Sequence, residues 1–294
     1  MDEKQLQDMV TAAVVEALAQ KAAPTRFQPG GNRPPEDLKL AKRIAEWAGM
    51  GMPLPPALQN WLPDGNRAGY LASTPARLGV GRSGVRPRTE TYLQLREDHA
   101  AARDAVSSRL DENILKKFDI VLLNSAARDN AEFLRRPDLG RRLNAESVEK
   151  IKKTAIKSPQ IQIVLVDGLS ATALNVNIPA ILPLLLDGFK TAGIRVGTVF
   201  AVSRGRVVVA DEVARATGAE CSLLLVGERP GLKTAESMGG YVTYMKVRNF
   251  NEAMRDVTSN IHSGGLPCNE AAPKLVEGCI KALRERRTGV DANG

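Results

Sequence analysis

The second half of the chain alternates between apolar runs and helix-like segments that end in glycine. Apolar runs at 160–166, 195–202 and 221–226 are separated by predicted helices that stop at Gly193 and Gly218. Glycine ends helices readily because it adopts the left-handed backbone conformation without steric cost. A strand–helix–strand–helix–strand order is typical of a parallel sheet whose helices carry the chain back across its faces. We therefore predict an α/β fold, with a Rossmann-like parallel sheet flanked by helices in the C-terminal part.

The chain before residue 144 lacks this alternation, and we predict that it is mostly helical and irregular. Residues 57–88 are rich in Gly, Pro and Arg, a composition that disfavours regular structure. Apolar periodicity predicts the remaining elements, which are helices at 36–48, 89–106, 144–156, 178–192, 211–217 and 269–287 and strands at 120–123 and 241–247. The sequence thus divides into an N-terminal region at 36–143 and an α/β domain at 144–294.

Residues 1–23 predict an isolated amphipathic helix. Apolar residues recur there at intervals of three and four and form one stripe, which consists of Leu6, Met9, Val10, Ala13, Val14, Ala17 and Leu18. Residues 24–35 are rich in proline and glycine and predict a flexible linker. A short helix on such a linker cannot cover its own apolar stripe. We expect it to dock either on the body of the protein or on a partner.

The scarcity of reactive side chains excludes several kinds of site. The chain has two histidines and three cysteines, which are scattered at His99, Cys221, His262, Cys268 and Cys279. A structural zinc site usually takes four such ligands at short spacings, so we predict no metal site. Unpaired, irregularly spaced cysteines indicate reduced thiols in the cytoplasm. His262 could act as a base, but no nucleophile stands beside it, and we assign no catalytic residue to this chain.

We expect neither a membrane nor a nucleic acid as a partner. The longest apolar run, 178–186, includes two prolines and is too short to span a bilayer. The polar start of the chain lacks the apolar core of a signal peptide. The net charge of +8 is spread along the chain, and aromatic residues make up 4% of it, too few for a base-stacking surface. The basic charge nevertheless leaves a nucleic-acid-binding protein as one alternative function.

Polar loops follow the predicted strands, and these loops indicate where a ligand would bind. In open parallel sheets, ligands bind in a crevice outside the carboxyl ends of the strands. The loops at that edge would be 167–170, 203–207, 227–231 and 258–265. Together they would suit a large ligand with amide and phosphate groups. Alternatively, Asp167 and Glu228 only cap turns, and the glycines only shape them.

The segment 79–84 matches the G-x-G-x-x-G pattern of dinucleotide-binding loops. That function requires a strand before the motif and a helix that opens within it. Prolines at Pro75 and Pro87 flank the segment and disfavour both elements. We predict a flexible basic loop here, and a nicotinamide-dependent oxidoreductase stays only as a second alternative.

Several longer motifs resemble the small (light) subunit of ethanolamine ammonia-lyase. They extend over roughly residues 74–285, and their combination is specific to that family. The segments that carry the resemblance are 78–84, 86–91, 98–99, 135–143, 167–170, 226–232 and 259–265.

The resemblance implies a subunit of an adenosylcobalamin-dependent lyase that converts ethanolamine to acetaldehyde and ammonia by radical chemistry. In this family a larger subunit, a TIM barrel, holds the substrate. The small subunit supplies part of the cobalamin site at the interface, and the cofactor keeps its own dimethylbenzimidazole as lower ligand. The family's cobalamin contacts fall on Val207, Glu228 and Thr258, of which Thr258 replaces the usual cysteine.

The resemblance also implies roles for the regions of the chain. Region 36–143 would contact the larger subunit, and domain 144–294 would contact cobalamin, so no activity is expected of this chain alone. Short amphipathic helices on linkers are similar to the targeting tags of bacterial microcompartment enzymes. Residues 1–20 would then bind a microcompartment shell, and the protein would be cytoplasmic, inside such a shell.

Overall fold

The computed structural model describes residues 82–289 with the exceptions of Gly84 and Asn249. The helices predicted at 1–23 and 36–48 and the linker at 24–35 lie outside the described residues. The proposed division of the chain at residue 144 stays a prediction.

The chain forms two compact units that meet in sequence between Leu95 and Arg96. In the described part of the first unit, β1 (Arg82–Ser83) pairs antiparallel with β2 (Arg86–Pro87), and α1 (Thr89–Ser107) begins. The glycine-rich motif therefore contributes Arg82 and Ser83 to a short hairpin. The flexible loop predicted for this segment is therefore wrong at Arg82 and Ser83, which pair with Arg86 and Pro87.

The second unit contains a six-stranded sheet in the order β3-β5-β4-β6-β7-β8. Strands β3 to β6 are parallel, β7 is antiparallel to β6, and β8 is antiparallel to β7. The predicted α/β fold with a helix-flanked sheet is confirmed, and two antiparallel strands extend one edge of it. The bounds are β3 (Val121–Asn124), β4 (Ile161–Val166), β5 (Phe200–Ser203), β6 (Cys221–Gly227), β7 (Met238–Tyr244) and β8 (Asp256–Ile261).

Helices cover the two faces of this sheet unequally. They are α2 (Glu112–Lys117), α3 (Asn130–Arg135), α4 (Ala145–Thr154), α5 (Ala171–Thr191), α6 (Val209–Thr217) and α7 (Cys268–Glu285). Helices α5 and α7 form the larger core with one face, and α7 extends over β7 and β8. Helices α4 and α6 form a smaller core with β3, β4, β5 and β6 on the other face. On the α4–α6 face, Val257 of β8 is 54% exposed, so this end of the sheet is open to solvent in the described part of the chain.

Helix α5 is long and apolar enough to cross a bilayer by length and hydropathy. Many of its apolar residues are buried against the sheet and α7, among them Ile178, Ile181, Leu185 and Phe189, whereas Val176 and Leu184 are exposed. Packing in the larger core thus accounts for the composition of this helix.

Helix α5 begins at Ala171, earlier than the predicted start near residue 178. The residues before Ile178 include Thr172, Asn175 and Asn177, and the continuous apolar run begins only at Ile178. Ser170 caps the helix instead, since its Oγ accepts a hydrogen bond from the Ala173 amide at 3.2 Å. The buried Asn177 donates to the Glu236 carbonyl at 2.8 Å, so a polar residue is accommodated inside this helix.

The predicted loop at 258–265 is wrong in its first half. Thr258 lies within β8, and only 262–265 form the turn that follows this strand. Most side chains of β8 are exposed because it is the edge strand of this sheet and, among the described residues, no helix covers one of its faces. An exposed polar strand has no alternation of apolar residues, which is the pattern that predicts a strand.

Candidate functional site

The loops that follow β4 and β5 are tied together by one buried carboxylate, Asp167. Its Oδ2 accepts hydrogen bonds from the Arg204 amide at 2.7 Å and the Ser203 hydroxyl at 3.3 Å, and its Oδ1 accepts one from the Gly205 amide at 3.1 Å. Burial raises the pKa of Asp167, and these hydrogen bonds oppose that effect. Because the carboxylate is already used to order the protein's own loop, Asp167 acts as a cap, as the alternative interpretation held.

The loops after β4 and β6 pack against each other without space for a ligand between them. The Leu169 amide donates to the Gly227 carbonyl at 3.1 Å, and the Ser170 hydroxyl donates to the Ala235 carbonyl at 2.6 Å. A Cβ atom on Gly227 would lie 2.0 Å from the Ser170 carbonyl oxygen. A cavity of about 280 Å³ remains near Asp167, and a larger one lies elsewhere on the same unit.

The larger cavity, of about 570 Å³, lies on the open face of β7 and β8, next to the start of α6. Val207 contributes to it from the loop between β5 and α6, and Tyr241 and Val257 contribute from the sheet. We call it the α6–β8 cavity, and its lining residues are Pro137, Arg141, Arg206, Val207, Val208, Tyr241, Glu252, Ala253, Arg255 and Val257. Its lining combines apolar side chains with three arginines.

Glu228 follows β6 directly and lies beside Tyr241 on this open face. Its Oε2 accepts a hydrogen bond from the Ser237 hydroxyl at 2.6 Å, and its Oε1 accepts one from the Asn260 amide at 3.4 Å. A Cβ atom on Gly239 would lie 3.0 Å from both the Glu228 Oε1 and the Tyr241 ring, so these groups converge over Gly239. Burial and the nearby Glu228 carboxylate raise the pKa of Tyr241. Tyr241 thus lies next to Glu228 and also lines the cavity to which Val207 contributes.

Thr258 is positioned differently from the other two predicted contacts. It pairs with Gly240 of β7, and Gly240 faces Leu275 of α7. Side chains of directly paired residues point to the same face of a sheet. The Thr258 side chain therefore lies on the α7 face, whereas its neighbour Val257 lines the cavity. Any contribution of Thr258 to the open face must come from its backbone.

His262 and two of the three cysteines of this unit form structural contacts. The Gly264 amide donates to Nδ1 of His262 at 3.1 Å, and Nε2 lies 2.8 Å from the Asn260 side-chain oxygen. These contacts order the turn after β8. Cys221 and Cys279 are buried, and their thiols interact in the larger core. Within residues 82–289, as far as they are described, no three metal-binding side chains come together.

Tyr241, Arg255 and Val257 were not identified from the sequence as residues of a site. Arg255 lines the cavity and forms an ion pair with the buried Asp211 of α6, at 2.5 Å between Nη2 and Oδ2. A signal for Tyr241 was its position at the start of a predicted strand. Arg255 and Val257 had no local signal in the sequence. Arg255 directly precedes β8 and Val257 lies within it, and this strand was not predicted.

Known proteins match most of the chain. The family model described as ethanolamine ammonia-lyase light chain (EutC) matches residues 67–292. The chain belongs to the ethanolamine ammonia-lyase light-chain family. It is 46% identical over 222 residues to the ethanolamine ammonia-lyase small subunit of Fusobacterium nucleatum, which covers 76% of this chain and 75% of that protein.

Two further small subunits show the same relation. The small subunit of Clostridium perfringens is 44% identical over 229 residues, covering 77% of this chain and 78% of the relative. That of Clostridium acetobutylicum is 40% identical over 220 residues, covering 75% of this chain and 91% of the relative. The resemblance drawn from the sequence motifs is confirmed, and the chain is a lyase subunit. Membership of this family favours neither of the two alternative functions.

Proposed function

We propose that this chain supplies one wall of an adenosylcobalamin site, which a large subunit completes, in an enzyme that converts ethanolamine to acetaldehyde and ammonia. The observation that supports the proposal is the open face of β7 and β8. There Tyr241 shares a cavity with Val207 and lies next to Glu228, and these two positions correspond to cobalamin contacts in the family.

The residues on this face have the chemistry that a corrinoid requires. A corrinoid is a large ring system with apolar edges and several amide side chains. Val207, Tyr241 and Val257 offer apolar surface, and covering the exposed Val257 side chain would be favourable by about 25 cal/mol for each Å² of apolar area. Glu228 can accept hydrogen bonds from amides, and Asn260 can donate and accept them. These groups fit the cofactor.

In this proposal the chain binds part of the cofactor and shields it from water. When bound, adenosylcobalamin supplies the radical through homolysis of its cobalt–carbon bond. Glu228 is held by Ser237 and Asn260, so its carboxylate is oriented before a ligand arrives. The apolar side chains of the cavity exclude water from the surface they cover. The catalytic groups that act on ethanolamine belong to the large subunit in this proposal.

The proposal is tested by co-expression with the large subunit of the same enzyme. We expect the purified complex to retain cobalamin, measured by its visible absorbance, and to release ammonia from ethanolamine, whereas either subunit alone does neither. Val207→Asp should abolish retention because it places a carboxylate on the apolar wall. The control Ile156→Asp replaces an exposed residue just after α4, at the opposite edge of the sheet, and should retain cobalamin.

A complex that assembles but does not retain cobalamin contradicts the proposed function. Turnover by the purified light chain alone would contradict the assignment of the catalytic groups to the large subunit.

For the N-terminal segment, we propose attachment to a bacterial microcompartment shell through residues 1–20, which would place the enzyme in the cytoplasm inside such a shell. The support is the apolar stripe predicted in this segment and the proline- and glycine-rich linker that follows it.

A further inference from the structure

The α6–β8 cavity is lined by three arginines, and only one of them forms no ion pair with a carboxylate of the described residues. Arg141 forms an ion pair with Glu252, which also lines the cavity. Arg255 forms its ion pair with Asp211, and both side chains are buried. Arg206 forms no ion pair with any carboxylate in the described part of the chain. The cavity therefore has a local excess of one positive charge, at Arg206.

Arg206 is held in place by contacts that leave part of its hydrogen-bonding capacity unused. Its guanidinium carbon lies 4.2 Å from the centroid of the Phe133 ring, and its Nη2 donates to the Phe133 carbonyl at 3.3 Å. Its backbone amide donates to the Gly140 carbonyl at 2.7 Å. Its Nε is buried and has no acceptor among the described residues. Burial also lowers the pKa of Arg206, and the Asp167 carboxylate, which forms no ion pair with it, only partly opposes that effect.

A guanidinium with these properties is suited to a phosphate group. Arginine presents several donors in a planar fork that matches two oxygens of a phosphate, and such charge-assisted pairs are about twice as strong as neutral hydrogen bonds. Stacking on Phe133 fixes the plane of this fork before a ligand binds. The charge excess of the cavity fits a ligand group with one negative charge.

We propose that Arg206 recognises the phosphodiester in the nucleotide loop of cobalamin. This inference rests on the proposed function, since Arg206 directly precedes Val207 and lines the same cavity. Cobalamin has one phosphodiester, which links the corrin side chain to the ribose, and its other peripheral groups are mainly amides and methyls. Arg206 is therefore the residue that distinguishes complete cobalamin from corrinoids that lack the nucleotide.

The experiment measures binding of two corrinoids to the two-subunit complex, by equilibrium dialysis and visible absorbance. One is cyanocobalamin, and the other is cobinamide, which has the same ring without the phosphate-linked nucleotide. R206M removes the charge but keeps an apolar stem that can pack on Phe133. We expect it to weaken cyanocobalamin binding about 10- to 100-fold, the usual effect of losing a charge-assisted contact. Cobinamide binding should change less than about threefold, because that ligand has no phosphate to lose.

Two further variants separate contact with phosphate from other roles. R206K restores the charge without the fork and should recover part of the cyanocobalamin affinity. R141M removes a cation from the same cavity whose charge Glu252 already balances, and its effect on cyanocobalamin should be clearly smaller than that of R206M. If R206M does not assemble with the large subunit, the same comparison of the two ligands is made with R206K, with a smaller expected loss for cyanocobalamin.

The outcomes are distinguishable. Equal weakening of both ligands by R206M overturns the inference, because Arg206 would then order the cavity or pair with a carboxylate of the large subunit. An R206K variant no better than R206M, or an R141M effect as large as that of R206M, also overturns it. A wild-type complex that binds neither corrinoid instead contradicts the proposed function itself.

Discussion

Gly227 and Gly231 border the same loop after β6, but their surroundings differ sharply. A Cβ atom on Gly227 would lie 2.0 Å from the Ser170 carbonyl oxygen and 2.5 Å from that of Asp167. On Gly231 it would meet nothing closer than 3.9 Å. The glycine at 227 is therefore required by the close approach of two backbone segments, whereas the one at 231 is not.

We expect Gly227→Ala to lower the free energy of unfolding by about 3 kcal/mol, because backbone atoms cannot move aside as a flexible side chain can. Gly231→Ala should change it by less than about 0.5 kcal/mol. Chemical unfolding of the full-length chain checks both values. Similar stability of the two variants would show that the loops after β4 and β6 are not packed as described.

Asp167 and Glu228 illustrate what the sequence could predict at single residues. Both were identified as polar residues at strand ends, and both are there. The sequence did not show that Asp167 is satisfied by amides of Arg204 and Gly205, because these lie in the loop of a different strand. Glu228, by contrast, lies beside Tyr241 on the open face. Two carboxylates of similar sequence context thus have different surroundings.

At the scale of elements, the ion pair of Arg255 and Asp211 fastens the segment before β8 to the start of α6. The two side chains are 7% and 2% exposed, so each charge depends on the other for compensation. Burial is the largest influence on the Asp211 pKa and raises it above 3.8, while Arg255 opposes the shift. Since the folded chain binds this proton more tightly than the unfolded chain, the Asp211 contribution makes the free energy of unfolding fall as pH rises from 3.8 to the raised pKa.

We expect Asp211→Asn to destabilise the chain by about 3–5 kcal/mol at neutral pH, because it leaves Arg255 as an uncompensated buried charge. Urea unfolding of the full-length chain provides the measurement. The control Asp138→Asn breaks the exposed pair with Arg136, whose side chains are 57% and 61% exposed, and should have a much smaller effect. Equal losses in the two variants would contradict the burial of the Arg255 pair.

The inner strands of the sheet could be predicted, whereas β8 could not. Strands β4 and β6 are buried on both faces and are recognised by their apolar residues. Strand β8 is a polar edge strand, so its sequence has the composition of a loop. Without β8 the open face is not visible, and neither is the cavity that Val257 lines. The cavity, unlike the contact positions Val207 and Glu228, therefore became recognisable only through pairing between β7 and β8.

At the scale of the whole molecule, the three arginines show why the charge of the α6–β8 cavity could not be predicted from neighbouring residues in the sequence. Arg141 and Glu252 are 111 positions apart in sequence, and Asp211 and Arg255 are 44 apart. The net charge of +8 is therefore a poor guide to where an unbalanced cation lies. Folding pairs two of the three arginines and leaves Arg206, and this selection depends on long-range contacts.

The proposed attachment to a shell also belongs to the whole molecule, because it requires separate roles for the N-terminal segment and the lyase. We expect deletion of residues 1–23 to leave assembly and ammonia release intact and to abolish co-purification with microcompartment shells. The double substitution V10D/V14D, which charges the predicted apolar stripe, should have the same effect. V15D/A19D adds the same charge on the face opposite the stripe and should leave shell association unchanged. Shell association that survives the deletion rules out this role.

The α6–β8 cavity is open on one side in the described chain, and this has a thermodynamic consequence if a second subunit closes it. The cofactor would then contact both subunits, so its affinity would be coupled to the affinity of the subunits for each other. Linkage requires that the factor by which cobalamin tightens the association of the subunits equals the factor by which association tightens cobalamin binding. Loss of cofactor would then loosen the enzyme, and dilution of the enzyme would release cofactor, as two expressions of one free energy.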